Sequence, residues 1–388
     1  MIFSTRVPSN LTHNRLTEVE LGLRARGVAL VDLTETNPTR VGLAYPDGLL
    51  QPLGDPASLR YEPQPFGLPS AREAVAREYR GPGATVEPAR VILTASTSEA
   101  YSFLFKLLCE PGDQVLVPVP SYPLFEYLTR LDLVDVRPYP LEYHGTWSVD
   151  LPALRSLVTP RTRAILVVSP NNPTGSVLGR ADLDGLAGIC AELDLALIGD
   201  EVFAEYLIDP RADMVRVLDQ ERALTFSLGG LSKSGGLPQV KLGWMIAGGP
   251  EALVDRALAR LEIVCDAYLS VSTPVQQAAG ALLAASRDVR QLIAARTIEN
   301  LTTLTRLVLA YPACSLLRVE GGWSAVIRVP ATQSEEQLVV DLLEHDHVLA
   351  HPGYFFDFPR EAYVVVSLLP RPDEFGRGVR CLLARACP

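Results

Sequence analysis

The sequence predicts an α/β protein whose large domain has a mostly parallel sheet, of the seven-stranded type, between layers of helices. Short apolar strands alternate with helical stretches from residue 70 to residue 250, which is typical of parallel sheets. Residues 163–169 form a continuous apolar run, as expected of a strand buried on both faces. With 388 residues, 48% of them hydrophobic, the chain is long enough for more than one structural unit.

Charge and composition narrow the possible partners. The net charge is −10 and the pI about 5.1, which argues against a nucleic-acid surface or an anionic membrane. No apolar span of about twenty residues occurs, and the first residues lack a signal-peptide core, so we expect a cytoplasmic protein. The six cysteines are scattered without a Cys-x-x-Cys pair, which favours free thiols over disulfides or a metal site.

The predicted division has an N-terminal arm packing with the small domain (1–45), a large domain (46–290) and a small α+β C-terminal domain (291–388). In the arm we expect a helix at 12–26, followed by a turn at Asn37-Pro38, because that pair breaks helices. The turn is either a plain surface feature or a loop over a pocket. A helix at 70–80 is predicted to start with a capping box formed by Ser70 and Glu73.

The first strand of the large domain, at 90–94, leads into three consecutive hydroxyl side chains. These are Ser96-Thr97-Ser98, and a helix is expected at 100–109. Free backbone N–H groups and the positive end of the helix dipole make such a turn suitable for an anion. The alternative is that the hydroxyls only cap the helix.

Chemically useful side chains follow each predicted strand of this domain. Strands at Gln114–Val119, 163–169, 195–199 and 223–227 are expected. The residues that follow the five strands are Ser96–Ser98, Tyr122, Asn172, Asp200 and Lys233. Since ligands bind at the carboxyl ends of parallel strands, we expect these side chains to form one site.

Lys233 lies in a stretch of small residues, FSLGGLSKSGGLPQVKLGWM, at 226–245. Glycine and serine around a lysine let a planar group approach the backbone and leave the amine free to move. These are the needs of an amine that condenses with an aldehyde and then transfers protons. A glycine-rich surface loop is the alternative.

The C-terminal third is predicted to be mainly helical at first. A long helical region is expected from residue 251 to about residue 310, with helices at 251–263 and 273–285 and a further helix that ends at 309. The small domain should then contain strands at 324–329 and 362–368 and a helix at 334–344. The sequence has neither internal repeats nor a low-complexity tract.

Taken together, these motifs resemble the class I/II aminotransferases of the fold-type I pyridoxal 5'-phosphate (PLP) enzymes. The resemblance covers nearly the whole chain, from Asn37-Pro38 to the last strand. It includes Pro120-Ser121-Tyr122, the NNPTG sequence at 171–175, and Lys233 followed eight residues later by Lys241. Each motif is weak alone, but their order and spacing agree.

The resemblance implies a role for each matching residue. Lys233 would be the Schiff-base lysine, and Asp200 would face the pyridine nitrogen. The ring would stack on Tyr122, and Asn172 would donate to its 3'-oxygen. The phosphate would be held by the remaining cofactor residues, which are Ser96, Thr97, Ser98, Ser232, Lys241 and Tyr61 of the neighbouring subunit. A homodimer with its active site at the subunit interface is therefore expected.

Two departures from the family pattern concern the cofactor and the substrate. Phe203 stands where the family usually has a tyrosine that donates to the cofactor. Valine stands in the middle of the strand 363–367, where the family commonly has the arginine that binds the substrate carboxylate. We expect Arg371, together with Asn37, to bind the substrate; Arg40 is a weaker candidate, and Arg371 could instead be a surface residue.

The expected function is transfer of an amino group between an amino acid and a 2-oxo acid by a ping-pong mechanism. A PLP-dependent lyase, decarboxylase or cyclase remains an alternative, because the motifs contact the cofactor rather than determine the outcome. A PLP-binding regulatory module is a further alternative, which the acidic charge and the early start of the motifs disfavour.

Overall fold

The computed structural model describes residues 2–79, 85–360 and 362–387 and confirms the predicted α/β class. The helices are α1 Arg15–Ala25, α2 Pro69–Glu78, α3 Thr97–Leu108, α4 Leu124–Leu131, α5 Leu151–Leu157, α6 Arg180–Leu193, α7 Leu231–Ser234, α8 Glu251–Tyr268, α9 Thr273–Val308, α10 Glu335–Asp346 and α11 Pro372–Ala386. The strands are β1 Val31–Asp32, β2 Val91–Thr94, β3 Gln114–Val119, β4 Asp135–Tyr143, β5 Trp147–Val149, β6 Thr162–Val168, β7 Ala196–Asp200, β8 Thr225–Gly230, β9 Gly243–Gly248, β10 Ser315–Leu316, β11 Ser324–Arg328, β12 Val348–Leu349, β13 His351–Pro352 and β14 Tyr363–Ser367.

The large sheet has eight strands in the order β2-β9-β8-β7-β6-β3-β4-β5. The five strands from β8 to β4 run parallel, whereas β9 is antiparallel to both of its neighbours and β5 pairs antiparallel with β4. The mostly parallel sheet is therefore confirmed. The sequence did not predict β4 and β5. The strand β4 carries prolines and charges, and only one of its nine residues is buried, so it lacks an apolar pattern. Proline is tolerated in strands near the edge of a sheet.

Both faces of the sheet are apolar and covered by helices. Along β9, Met245 packs with the helices α3 and α8, while Trp244 and Ile246 pack with α2 and α9 on the other face. Each large side chain buried this way contributes roughly 1.5–3 kcal/mol. This burial on both faces explains why the strands read as continuous apolar runs.

The long helix α9 joins the two domains. It runs for 36 residues without a break, within the helical region that the sequence predicts up to about residue 310. Leu282 and Val289 pack into the large-domain core, whereas Leu304 and Val308 pack into the core of the small domain. The domain boundary expected after residue 290 therefore falls inside one continuous helix.

The small domain is built on a four-stranded sheet in the order β10-β11-β14-β13, with α10 and α11 packed on it. The N-terminal arm adds β1, which pairs parallel with β12, and α1, whose Leu16 and Leu23 pack against Val339 and Leu343 of α10. Among the helices of the described residues, none is both long and apolar enough to cross a membrane.

Two local predictions were wrong. The N-cap of α2 is Leu68, with Pro69 at the first helical position and no side-chain cap, so the capping box at Ser70 and Glu73 does not form. Proline favours this first position because its fixed φ suits the helix. The predicted end of α2, Arg80, lies outside the described residues. The helix α3 begins at Thr97 rather than at residue 100.

Candidate active site

The structure brings the residues that follow the central strands to one edge of the large sheet. Asp200 is the last residue of β7, which lies between β6 and β8. Lys233 lies in α7, directly after β8, and Asn172 follows β6. Tyr122 follows β3, the next parallel strand. Because parallel strands end at the same edge, residues that follow different strands in the sequence lie close together here.

Asp200 is a half-buried carboxylate at the end of β7. Its Oδ2 accepts a hydrogen bond of 3.0 Å from the Tyr101 hydroxyl, and its Oδ1 accepts one of 3.2 Å from Val202 N. Burial raises the pKa of Asp200 to about 6, although both hydrogen bonds and the charge of Lys233 act in the opposite direction. The site therefore holds a carboxylate that readily shares a proton near neutral pH.

The amine of Lys233 lies beside two aromatic rings that contact each other, with their centroids 5.2 Å apart. Its Nζ is 5.1 Å from the ring centroid of Trp323 and 5.6 Å from that of Phe203, distances typical of cation–π contacts. Burial lowers the pKa of Lys233, and attraction to Asp200 opposes this effect. A lysine with a lowered pKa is more often neutral and therefore nucleophilic.

The turn at Ser96–Ser98 packs against the glycines that flank the lysine helix α7. Gly243, the first residue of β9, pairs with Gly230 at the end of β8, and a Cβ on Gly243 would lie 2.9 Å from the backbone carbon of Ser96. Ser232 is two residues after Gly230, and the exposed Lys241 is two residues before Gly243, with φ of +59°. The Ser96 hydroxyl accepts a hydrogen bond of 3.2 Å from Glu99 N, so Ser96 caps α3. Binding of an anion at this turn stays a prediction.

Both domains contribute to the other end of the site. The Oδ1 atom of Asn172 accepts a hydrogen bond of 3.3 Å from the hydroxyl of Ser324 in β11. Next to Tyr122, whose exposed fraction is 49%, Ser121 N donates to the carbonyl of Phe356 at 3.0 Å. These contacts place Asn172 and Tyr122 where the small domain meets the edge of the large sheet.

Three residues beside Asp200 and Lys233 were missed by sequence reasoning: Tyr101, Tyr206 and Trp323. Tyr101 lies one helical turn after Thr97, and residues spaced by four share a helix face, so this position was open to prediction. Trp323 follows two glycines, which mark a close approach of the backbone. Tyr206 carries no local signal, because its contact with Lys233 depends on the packing of two loops.

The middle of β14 faces the large domain with an apolar side chain. Val365 has an exposed fraction of 3% and belongs to a cluster with Trp147, Phe356 and Phe358. Val364 and Val366 point the other way, into the small-domain core. The sequence has no cation at the centre of this strand, and the structure shows a packed apolar cluster at that position.

The predicted substrate residues differ in exposure. The side chain of Arg371 is 62% exposed, with its Nε 3.7 Å from Asp373 Oδ1. The side chain of Arg40 is 74% exposed, and its Nη1 lies 4.0 Å from Glu35 Oε2. Asn37 is half-buried, and its Oδ1 accepts hydrogen bonds from Thr39 N and from the Thr39 hydroxyl, as in an Asx turn.

Tyr61 also lies apart from the site within this chain. Its exposed fraction is 71%, in a segment next to the α8–α9 connection. Two further apolar side chains of high exposure, Leu59 at 91% and Ile263 at 73%, lie in this segment and in α8. Leu59 and Tyr61 are only two positions apart in the sequence, and exposed apolar side chains that lie together are typical of interaction surfaces.

The donor set fits PLP, the cofactor that the resemblance implies. A nucleophilic lysine suits an aldehyde, and a buried carboxylate suits a pyridine nitrogen. The N-terminus of α3 with its hydroxyls, and the nearby Lys241, suit a phosphate. Trp323 Nε1 and Asn171 Nδ2 are buried without a hydrogen-bond partner in the described part of the chain, so polar donors remain available beside the site.

A profile of the family described as aminotransferase class I and II matches residues 32–369. The glutamate-pyruvate aminotransferase AlaA of Escherichia coli K12 is 27% identical over 363 residues, covering 91% of this chain and 89% of the relative. The alanine aminotransferase of Mycobacterium tuberculosis H37Rv is 27% identical over 372 residues, with 93% and 86% covered.

Solved structures share the fold. The alanine aminotransferase from Pyrococcus furiosus superposes with a TM-score of 0.86 at 24% identity, over 98% of each chain. The aspartate aminotransferase from Thermus thermophilus with maleate superposes with a TM-score of 0.83 at 24% identity, over 99% of each chain.

Proposed function

The chain belongs to the aminotransferase class I and II family, and from this premise we propose how its own residues carry out transamination between an amino acid and a 2-oxo acid. It is a PLP-dependent aminotransferase of fold type I. When bound, PLP supplies an aldehyde that condenses with amino groups and a ring that withdraws electrons from the neighbouring carbon.

Lys233 and Asp200 form the proposed catalytic pair. Lys233 anchors the cofactor and then moves the proton at the substrate α-carbon, since its lowered pKa leaves a fraction of the amine free to accept a proton. Asp200 holds a proton at the ring nitrogen, where its charge favours the electron-withdrawing form. Tyr101 orients this carboxylate through the 3.0 Å hydrogen bond.

The remaining cofactor contacts are assigned by position. Tyr122 lies against the face of the ring, and Asn172 donates to the 3'-oxygen while Ser324 holds its amide. The phosphate is bound by Ser96, Thr97, Ser98, Ser232 and Lys241. Phe203 and Trp323 exclude water from the amine of Lys233.

The substrates are proposed to be an amino acid and a 2-oxo acid of the kind that the relatives' names indicate, with glutamate, alanine and pyruvate as the first to test. Arg371 and Asn37 are proposed to bind them from the rim of the site. With a 62% exposed side chain, Arg371 would have to leave Asp373 and turn inward to reach a carboxylate.

We further propose a cytoplasmic homodimer in which Tyr61 completes the partner's phosphate site. Tyr61 is too exposed to serve its own chain, and the apolar residues near it favour a covered surface. A mixture of Lys233→Ala and Tyr61→Ala subunits tests this. Mixed dimers contain one intact site, so the mixture should recover up to about a quarter of wild-type activity. No recovery despite mixed dimer formation would exclude a shared site.

The observation that carries the proposed function is the placement of Lys233 beside Asp200, with their pKa values moved toward each other by burial. Single-turnover mixing of the PLP-loaded enzyme with a panel of amino acids is the test. A transaminase converts the cofactor to its pyridoxamine form and releases one equivalent of 2-oxo acid. Release of carbon dioxide, ammonia or a cyclised product instead would indicate one of the other PLP reactions, and an unchanged spectrum would indicate a binding role.

A further inference from the structure

The turn that carries Lys233 is short and is bound both from within and from other segments. The helix α7 has four residues. Within the turn, the carbonyls of Leu231 and Lys233 accept hydrogen bonds of 3.2 Å and 3.1 Å from Gly235 N and Gly236 N. Because so short a helix makes few internal hydrogen bonds, side chains of other segments that bind its carbonyls help to set the position of the Lys233 backbone.

Tyr206 binds the backbone of the lysine itself. Its hydroxyl donates a hydrogen bond of 2.6 Å to the carbonyl of Lys233. The side chain is 1% exposed, and its ring packs edge-on against Trp323 with the centroids 5.0 Å apart. Trp323 in turn contacts the amine of Lys233, so Tyr206 acts on both ends of the lysine.

Arg290 binds the next carbonyl along the turn. Its Nε donates a hydrogen bond of 2.8 Å to the carbonyl of Ser234. Its Nη1 binds Glu205 Oε2 at 2.9 Å, and its Nη2 lies 3.4 Å from Glu78 Oε2. The Arg290 side chain is 17% exposed, so these charge-assisted contacts are shielded from water and are stronger than surface pairs.

Both contacts lead back to the loop that begins at Asp200. Glu205 and Tyr206 end the segment 201–206, which directly follows Asp200 in β7. Two consecutive carbonyls of the lysine turn are thus tied to two consecutive residues of the aspartate loop, one directly and one through Arg290.

We propose that Tyr206 and Arg290 are positioning residues that hold the Lys233 amine at a fixed distance from Asp200 by binding the carbonyls of Lys233 and Ser234. This inference rests on the proposed function, in which Lys233 is the reacting amine. Neither residue is required to touch the substrate or the cofactor.

The variant Tyr206→Phe removes the hydroxyl and keeps the ring on Trp323. Tyr139→Phe is a matched control, because Tyr139 is equally buried and its hydroxyl donates 2.7 Å to a backbone carbonyl, that of Leu166, away from the site. Both variants should lose a similar few degrees of melting temperature. The readouts are the rate at which cofactor-free enzyme takes up added PLP, followed by absorbance, and the visible circular dichroism of the bound cofactor.

We expect Tyr206→Phe to slow PLP uptake at least tenfold and to weaken the visible dichroism, with Tyr139→Phe within twofold of wild type on both. Uptake by Tyr206→Phe within twofold of wild type would overturn the inference. If Tyr206→Phe does not fold, Arg290→Lys replaces it, since it keeps the charge facing Glu205 but loses the Nε donor; normal uptake by that variant overturns the inference equally.

Borohydride reduction of the wild-type complex and peptide mass mapping separate the two levels of the argument. A label on a lysine other than Lys233 would refute the proposed function. A label on Lys233 together with normal uptake by Tyr206→Phe would refute only the positioning role.

Discussion

The buried carboxylate of Asp200 should make the cofactor-free enzyme less stable at neutral pH than it would be without the charge. The pKa of Asp200 is raised from 3.8 to about 6, a difference of roughly 3 kcal/mol at about 1.4 kcal/mol per pH unit. The pKa already includes the attraction of Lys233, the weakest of the opposing causes. Since the side chain is partly exposed, about 3 kcal/mol is an upper value.

The sign follows from proton linkage. Between the two pKa values the folded state binds more protons than the unfolded state, so stability is fully present below about pH 4 and is lost as the pH rises through about 6. Asp200→Asn removes this loss. At about 2.1 cal/mol/K of unfolding entropy per residue, a chain of 388 residues should melt up to about 4 °C higher at pH 8 in the variant.

The assay is the melting temperature of the cofactor-free enzyme from pH 4 to pH 8. The difference between Asp200→Asn and wild type should grow across this range and be near zero at pH 4, while the variant should bind PLP far more weakly. Asp135→Asn, at an exposed position on β4, is the control and should give no such trend. A variant that melts lower than wild type at pH 8 would refute the reasoning, because the hydrogen bonds to Asp200 would then outweigh its burial.

Three further predictions concern single side chains. Tyr101→Phe removes a hydrogen bond to a charged group, so PLP affinity measured by absorbance titration should fall roughly tenfold. Unchanged affinity would show that Tyr101 does not orient Asp200 for binding the cofactor. Gly243→Ala places a Cβ 2.9 Å from the turn before α3, so it should cost roughly 1–3 kcal/mol and weaken PLP binding; an unaltered binding constant would contradict the placement of the phosphate. Arg371→Ala should raise the KM for the amino donor at least tenfold, whereas Arg377→Ala, in the helix that Arg371 precedes, should not. Equal KM values in both variants would show that Arg371 does not bind the substrate.

Much of the site could be predicted because the residues that follow the strands of a parallel sheet lie together at one edge. The strands β2, β3, β6, β7 and β8 were recognisable as apolar runs, and the residues after them had to lie at the carboxyl edge. Asp200 and Lys233 were therefore predicted to be neighbours although they lie 33 positions apart in the sequence. The strand β4 escaped prediction because it lacks an apolar pattern. That α9 is one unbroken helix also escaped prediction, because it passes between two cores.

The sequence by itself determined the α/β class, the positions of the central apolar strands and the residue types gathered at the sheet edge, because these depend on local periodicity and on chain direction. Only the tertiary structure decided that Tyr101 binds Asp200, that Tyr206 and Arg290 bind the lysine turn, and that an apolar cluster surrounds Val365. Such contacts join segments far apart in the chain, and their distances depend on how whole faces pack, which no local pattern encodes.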